Sequence, residues 1–374
     1  MALTPPGGHP QQQTVEYADF GSPRRPGRRR LYWLLLACLV IAATVVAVRH
    51  PGRPGRAGQP PVSVTDFGRQ LVGVTRGWEL FGLAADSVVA IQLGHDRVIR
   101  TALPPALGSG PVSFIVGPRS AIVRPLDDVP GYLVPDSQPA QRLTGILARG
   151  GQLLPGPRPG EEWDTAGGAN SLVLIGANGR PTRTRITLPN RNWPSESAMS
   201  DGRGDVLVAS DSSGTQYDAG PHWLRPVAVL LTAVGPTRWL GMTCHSGKCQ
   251  NVVLNPVTGG QRKLPGAPLD LRTWPWPAFP GSVAPDGLTA VIVAAKGTGQ
   301  VALEQVSLVS GAVRPIAVPV NQNASSQTMA WSPNSQWLFV LAASGKLLAV
   351  NSRTGKVLSF RVPLPRLSQL TIRA

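Results

Sequence analysis

The chain has 374 residues and a formal charge of +16, with 42% hydrophobic and only 15% charged residues, which supplies material for a core and excludes wholesale disorder. The first sixty residues hold eight Arg against Glu16 and Asp19, a local excess of +6 that leaves a moderate +10 on the remainder. That remainder suits an anionic surface such as lipid headgroups or cell-wall polymer. It carries no basic helical motif or aromatic-stacking pattern, so nucleic acid is not expected as a partner. Only five of the 36 basic residues are Lys, a bias that a GC-rich genome produces without functional pressure.

Residues 1–30, with Pro5, Pro6, the Gln11 to Gln13 run and an Arg cluster, read as a disordered cytoplasmic tail. Leu31 to Val48 comes next as LYWLLLACLVIAATVVAV without a charge. As a helix it would be about 27 Å long, near the thickness of bilayer hydrocarbon. Arg24, Arg25, Arg28, Arg29 and Arg30 precede it, while Arg49, Arg53 and Arg56 lie after it, so the positive-inside rule places the N-terminus in the cytoplasm. A cleaved secretory signal using Val45 and Ala47 is the competing reading; the run is longer than a signal core and starts thirty residues in, which suits a retained anchor. Either reading exports the rest of the chain. Residues 49–61, RHPGRPGRAGQPP, form a Pro/Gly linker able to reach about 40 Å.

Residues 62–374 alternate short Val-, Leu- and Ile-rich runs with turns built from abundant glycine (42) and proline (38). Within them a spacing recurs. Trp78 to Pro104, Trp163 to Pro189, Trp239 to Pro265 and Trp337 to Pro363 are each 26 positions apart, and each proline comes directly after Leu or Val. Each interval reads as three apolar runs with two turns, a three-strand meander. In the copy from Trp337 the strands are WLFVLAA, KLLAVNS and KVLSFRV, and Ser344-Gly345-Lys346 sits at the same offset as Ser246-Gly247-Lys248 in the copy from Trp239. A second marker precedes strands at Gly117-Pro118-Arg119, Gly235-Pro236-Thr237, Ala284-Pro285-Asp286-Gly287 and Ser332-Pro333-Asn334, with Ser200-Asp201-Gly202 filling a gap. These signals predict units ending near Pro104, Leu147, Pro189, Val227, Pro265, Pro319 and Pro363. The fold class is therefore all-β, a β-propeller of seven blades, with six as the alternative because the fourth unit is short. The ring would close with Leu367 to Arg373 or with Ser63 to Val72.

AWSPNSQWLFVLAASGKLLAVNSRTGKV, from Ala330 to Val357, resembles the repeat of WD40-like and TolB-like β-propellers with their Trp-Ser-Pro-Asp-Gly turn, and Ala-Pro-Asp-Gly at 284–287 is similar. The Gly-His and Trp-Asp pairs of strict WD40 repeats are absent. The resemblance implies the fold and a binding role, and it carries no catalytic residue.

Cys244 and Cys249 flank a hairpin turn after Trp239. In an exported domain they are expected to form a disulfide, with free thiols or a metal site through His245 as the other readings. Cys38, in the apolar run, is read as packing. No other metal-ligand spacing, nucleophile elbow or cofactor motif is present, so no metal or cofactor is expected. Trp274, Trp276 and Phe279 lie in the proline-broken segment Thr273 to Pro280, either as a surface for a peptide or sugar or as packing over one end of the ring. Arg180, Arg183 and Arg185 would lie along an outer strand and protect its edge. The sequence thus predicts a single-pass membrane protein displaying a non-enzymatic binding or scaffold propeller to a protein or envelope polymer. A metal-dependent propeller hydrolase or lyase is the alternative.

Overall fold

A computed structural model describes residues 62–373, apart from 69, 75–76, 105–109, 127–128, 149–150, 166–170, 189–197, 210–215, 247, 267–268, 270–280, 297–300 and 322–323. The expected cytoplasmic tail, membrane segment and linker lie outside the described residues, as do Pro189, Trp274, Trp276 and Phe279. Among the described residues no helix is long and apolar enough to cross a membrane.

Seven antiparallel sheets succeed one another along the chain, six of four strands and one of five. Blade 1 contains β2 (Glu79–Ala84), β3 (Ser87–Gln92) and β4 (Arg97–Ala102). Blades 2 and 3 comprise β5 (Val112–Val116) to β8 (Gln141–Arg142) and β9 (Leu153–Pro155) to β12 (Pro181–Thr187). Blade 4 runs from β13 (Ala198–Ser200) to β16 (Trp223–Val227), and blade 5 from β17 (Leu230–Ala233) to β20 (Gln261–Lys263). Blade 6 runs from β21 (Ser282–Val283) to β24 (Val313–Pro319), and blade 7 from β25 (Met329–Trp331) to β28 (Val357–Ser359). The chain folds as a seven-bladed β-propeller.

Of the two segments that the sequence offered for closure, the C-terminal one closes the ring, and the N-terminal one adds an outer strand. The last strand, β29 (Leu367–Arg373), pairs with β2 as the innermost strand of blade 1, so one blade is built from both ends of the domain. The first strand, β1 (Val62–Asp66), pairs with β4 as a fifth, outer strand that is largely exposed. Arg373 completes the closure. Its guanidinium binds Glu79 in blade 1 and Asp136 in blade 2, and stacks 4.7 Å from the Phe81 ring.

Alternation along each strand sends successive side chains to opposite neighbours, so the core is divided into seven wedges, one at each junction between blades. Phe81 and Leu83 of β2 face blade 2, whereas Leu80 and Ala84 face blade 7. Hydrogen bonds also tie neighbouring blades together. Leu153 N–H donates to Ser113 Oγ (2.9 Å) between blades 3 and 2, and Val283 N–H donates to the Val234 carbonyl (2.8 Å) between blades 6 and 5.

The four tryptophans of the repeat all sit at or beside the start of a blade's second strand, but they do not share a face. Trp163 and Trp337 pack toward the following blade, while Trp239 and Trp78 pack toward the preceding one. The shared spacing therefore fixes position along the strand without fixing the side, which a one-residue change of register reverses. Trp163 Nε1 donates to the Gly204 carbonyl (2.8 Å) and Trp239 Nε1 to that of Asp201 (3.2 Å), so two anchors converge on one loop of blade 4. Gly204, at φ 94°, passes so close to blade 3 that a Cβ would lie 2.2 Å from the Gly156 carbonyl oxygen. Pro104, Pro265 and Pro363 each come shortly after a blade's outer strand and are exposed.

Candidate functional site: the central channel and its surroundings

The innermost strands of all seven blades converge on an axial cavity of about 570 Å³. Its polar lining includes Ser113, Gln152, Ser200, Ser282, Gln327 and Gln369, and its apolar lining includes Phe114, Met199 and Trp331. Among the described residues, the lining contains no Asp, Glu, His, Lys or Arg. Several polar groups are committed to the framework: Ser113 Oγ accepts from Leu153 N–H, and Gln369 Nε2 donates to the Val112 carbonyl (2.6 Å). Gln152 Oε1 is buried and has no hydrogen-bond partner among the described residues. An acceptor in that state is stabilised by a ligand hydroxyl or amide, or by water.

No family model matches the chain, and no curated protein does. Among solved structures it is similar to apo AztD from Citrobacter koseri, at 13% identity over 79% of this chain and 98% of that one, with a TM-score of 0.45. It is also similar to TolB from Acinetobacter baumannii, at 10% identity over 79% and 82% with a TM-score of 0.42. A puromycin-hydrolysing peptidase from Mycobacterium tuberculosis matches at 15% identity over 81% and 55%, with a TM-score of 0.48. Likenesses this distant say nothing about ligand or activity.

Away from the axis, blade 4 brings together Asp201 and Asp205 from its first turn and Asp218 from its third strand, with ligand oxygens within 4.8 Å of one another. Two arginines neutralise much of this charge. Arg203 reaches Asp201 (2.5 Å), Asp205 (3.3 Å) and Asp218 (3.3 Å), and Arg225 reaches Asp218 (2.7 Å). Both guanidiniums extend to the Pro256 carbonyl of blade 5, and Arg203 lies 5.4 Å over the Trp239 ring. Burial raises the Asp205 carboxyl to about 6, with the nearby Asp201 charge adding to the effect. Burial also raises Asp201, against the pull of Arg203. The guanidinium of Arg203 bonds to all three carboxylates where a cation would bind, so the arrangement is that of an ion-pair network joining two blades.

Among the other groups singled out by sequence, Cys244 and Cys249 face each other across β18 (Trp239–His245) and β19 (Lys248–Leu254), and form a disulfide. His245 sits beside the disulfide at the exposed hairpin tip. Arg180, Arg183 and Arg185 lie on or just before β12, the outer strand of blade 3.

Sequence reasoning missed the channel lining and the ionic network. The turn Ser200-Asp201-Gly202 was visible, and Asp201-x-Arg203-x-Asp205 beside it is an alternation of charge that signals a local ion pair. Asp218 and Arg225 carry no such local signal.

Proposed function

We propose that the protein is a membrane-anchored, extracytoplasmic and non-enzymatic binding module, and that its ligand is an uncharged, hydrogen-bonding segment of an envelope polymer or a protein. The channel, whose lining is uncharged among the described residues, carries this reading. Its serines and glutamines offer donors and acceptors without the fixed charges that hydrolytic chemistry draws on. The disulfide supports export, because such bonds persist in oxidising compartments. The apolar run Leu31 to Val48 and its arginine flank support a retained anchor with the N-terminus inside.

Full-length protein in mild detergent should retain neutral glycan or a specific protein from an envelope extract, with little sensitivity to salt. Gln152→Leu and Gln327→Ala should weaken that retention. Capture that disappears on raising ionic strength, or that ignores both substitutions, would remove the channel from the account. Protease added to intact spheroplasts should shave the propeller and spare the N-terminal tail; a protected propeller would contradict the orientation.

The Asp201, Asp205 and Asp218 group is the one observation that favours a metal-dependent hydrolase or lyase. Stoichiometric metal in the purified chain, together with turnover of an ester or lactone panel, would overturn the binding reading. Displacement of Arg203 would have to accompany it.

A further inference from the structure

The seven wedges between blades are not equally filled. Among the described residues, the wedge between blades 2 and 3 packs a cluster of four buried apolar residues, Ile115, Ile122, Leu143 and Leu153, with Val173 and Ile175 of β11 (Ser171–Ile175), the register partners of Asp164 and Glu162, also buried, whereas the cluster at each other junction holds at least eight. On the face that carries the first turn of each blade, this wedge opens into a groove of about 600 Å³, within the range typical of small-molecule sites.

The strand β10 (Glu162–Asp164) presents two carboxylates to this wedge, because alternate residues share a face. Asp164 meets Arg124 of blade 2 at 2.7 Å. Glu162 lines the groove, is 6% exposed, and has no hydrogen bond or ion pair among the described residues. A buried carboxylate without a donor is costly to keep ionised. Burial, reinforced by the charge of neighbouring Glu161, raises its carboxyl to about 7. On the exposed rim, Arg119 and Arg142 also line the groove, and neither forms an ion pair among the described residues. Ile122, Leu133, Leu143 and Leu147 give the groove an apolar wall.

We propose that this groove binds a small zwitterion with an apolar body, such as a short apolar peptide: its ammonium meets Glu162, its carboxylate meets Arg119 and Arg142, and its side chains cover the leucine and isoleucine wall. This site is off the axis and does not depend on what the channel binds. Charges of both signs, fixed at different depths of one groove, favour a ligand carrying the complementary pair over a simple anion, which Glu162 would repel.

The test is calorimetric titration of the full-length protein with leucyl-leucine, N-acetyl-leucyl-leucine and leucyl-leucinamide. Leucyl-leucine should bind, and removing its ammonium by acetylation or its carboxylate by amidation should each weaken binding by about tenfold or more. Glu162→Gln should cause a loss similar to acetylation, and the double change Arg119→Ala, Arg142→Ala a loss similar to amidation. Wild-type affinity should rise as pH increases through about 7, where Glu162 ionises. It should fall above about 8, where the peptide ammonium loses its proton. Glu162→Gln should abolish the rising limb alone. The arginines are exposed, so their replacement should leave the far-ultraviolet circular dichroism spectrum and melting unchanged. No binding of leucyl-leucine at millimolar concentration, or equal affinity for all three peptides, would overturn the proposal. Channel substitutions such as Gln327→Ala should not alter leucyl-leucine binding, which separates this result from that of the channel reading.

Discussion

Glu162 and Asp164 lie two residues apart on one face of β10, and blade 2 provides an arginine for only one of them. The carboxyl of Glu162 has its folded pKa raised from 4.5 to about 7, so the native state holds its proton more tightly than the unfolded chain does. Its stabilising effect is complete below about 4.5 and is lost as pH rises through about 7. Glu162→Gln should therefore change stability little near pH 5. Near pH 8 it should raise stability by on the order of 2 kcal/mol, read as a pH-dependent difference in melting temperature. A variant that becomes more stable while binding leucyl-leucine less well has lost a group kept for a ligand. Arg124 and Asp164 are the contrasting case, 1% and 0% exposed at their side chains. Arg124→Met should cost about 3–5 kcal/mol because it strands a buried carboxylate, and adding Asp164→Leu should recover much of that loss. Denaturant titration of the single and double variants measures both.

At the scale of elements, the first turn of five blades and the meander after it were legible, while the strand before the turn was not. The five markers named from sequence as preceding strands, at 117–119, 200–202, 235–237, 284–287 and 332–334, each join the first and second strands of a blade. Ser332-Pro333-Asn334 shows why such residues occur there: Ser332 Oγ accepts from Trp337 N–H (2.9 Å), and Asn334 Oδ1 accepts from Gln336 N–H (3.2 Å). Several innermost strands are too short to leave an alternation to read, three residues in β9, β13 and β25. The disulfide of blade 5 closes a small loop at an exposed tip, with a sequence separation of 5. Replacing both cysteines with serine should cost about 2 kcal/mol at most and lower the melting temperature by a few degrees, with β content retained. A comparable shift on reduction of the wild type would confirm that the bond forms in solution.

At the scale of the whole molecule, the two terminal strands of the domain make opposite contributions. β29 joins the ends of the domain through β2, buries Leu367 and Leu370, and carries Arg373 across to blade 2. Truncation before Leu367 should open the ring, leaving the inner edge of β2 unpaired, and abolish a single cooperative melting transition. Deleting Val62–Asp66 removes an exposed outer strand whose ion pair, Asp66 with Arg97, is open to solvent. That deletion should cost about 1 kcal/mol or less and leave one transition. Differential scanning calorimetry distinguishes the two outcomes. Equal losses would mean that closure does not depend on the inner strand.

Local pattern determined the all-β class and the positions of many turns, and favoured seven units over six and a disulfide between Cys244 and Cys249 over free thiols or a metal site, because strand alternation and turn chemistry act over a few residues. It also placed the repeated tryptophans along their strands. Only the tertiary structure decided which neighbour each tryptophan faces, which terminal segment closes the ring, and that, among the described residues, the channel lining is uncharged and Glu162 lines a groove between blades without a partner. Those properties arise where blades meet, between residues such as Arg124 and Asp164 that are 40 positions apart. A burial environment assembled from distant segments leaves no trace in the local spacing of either one.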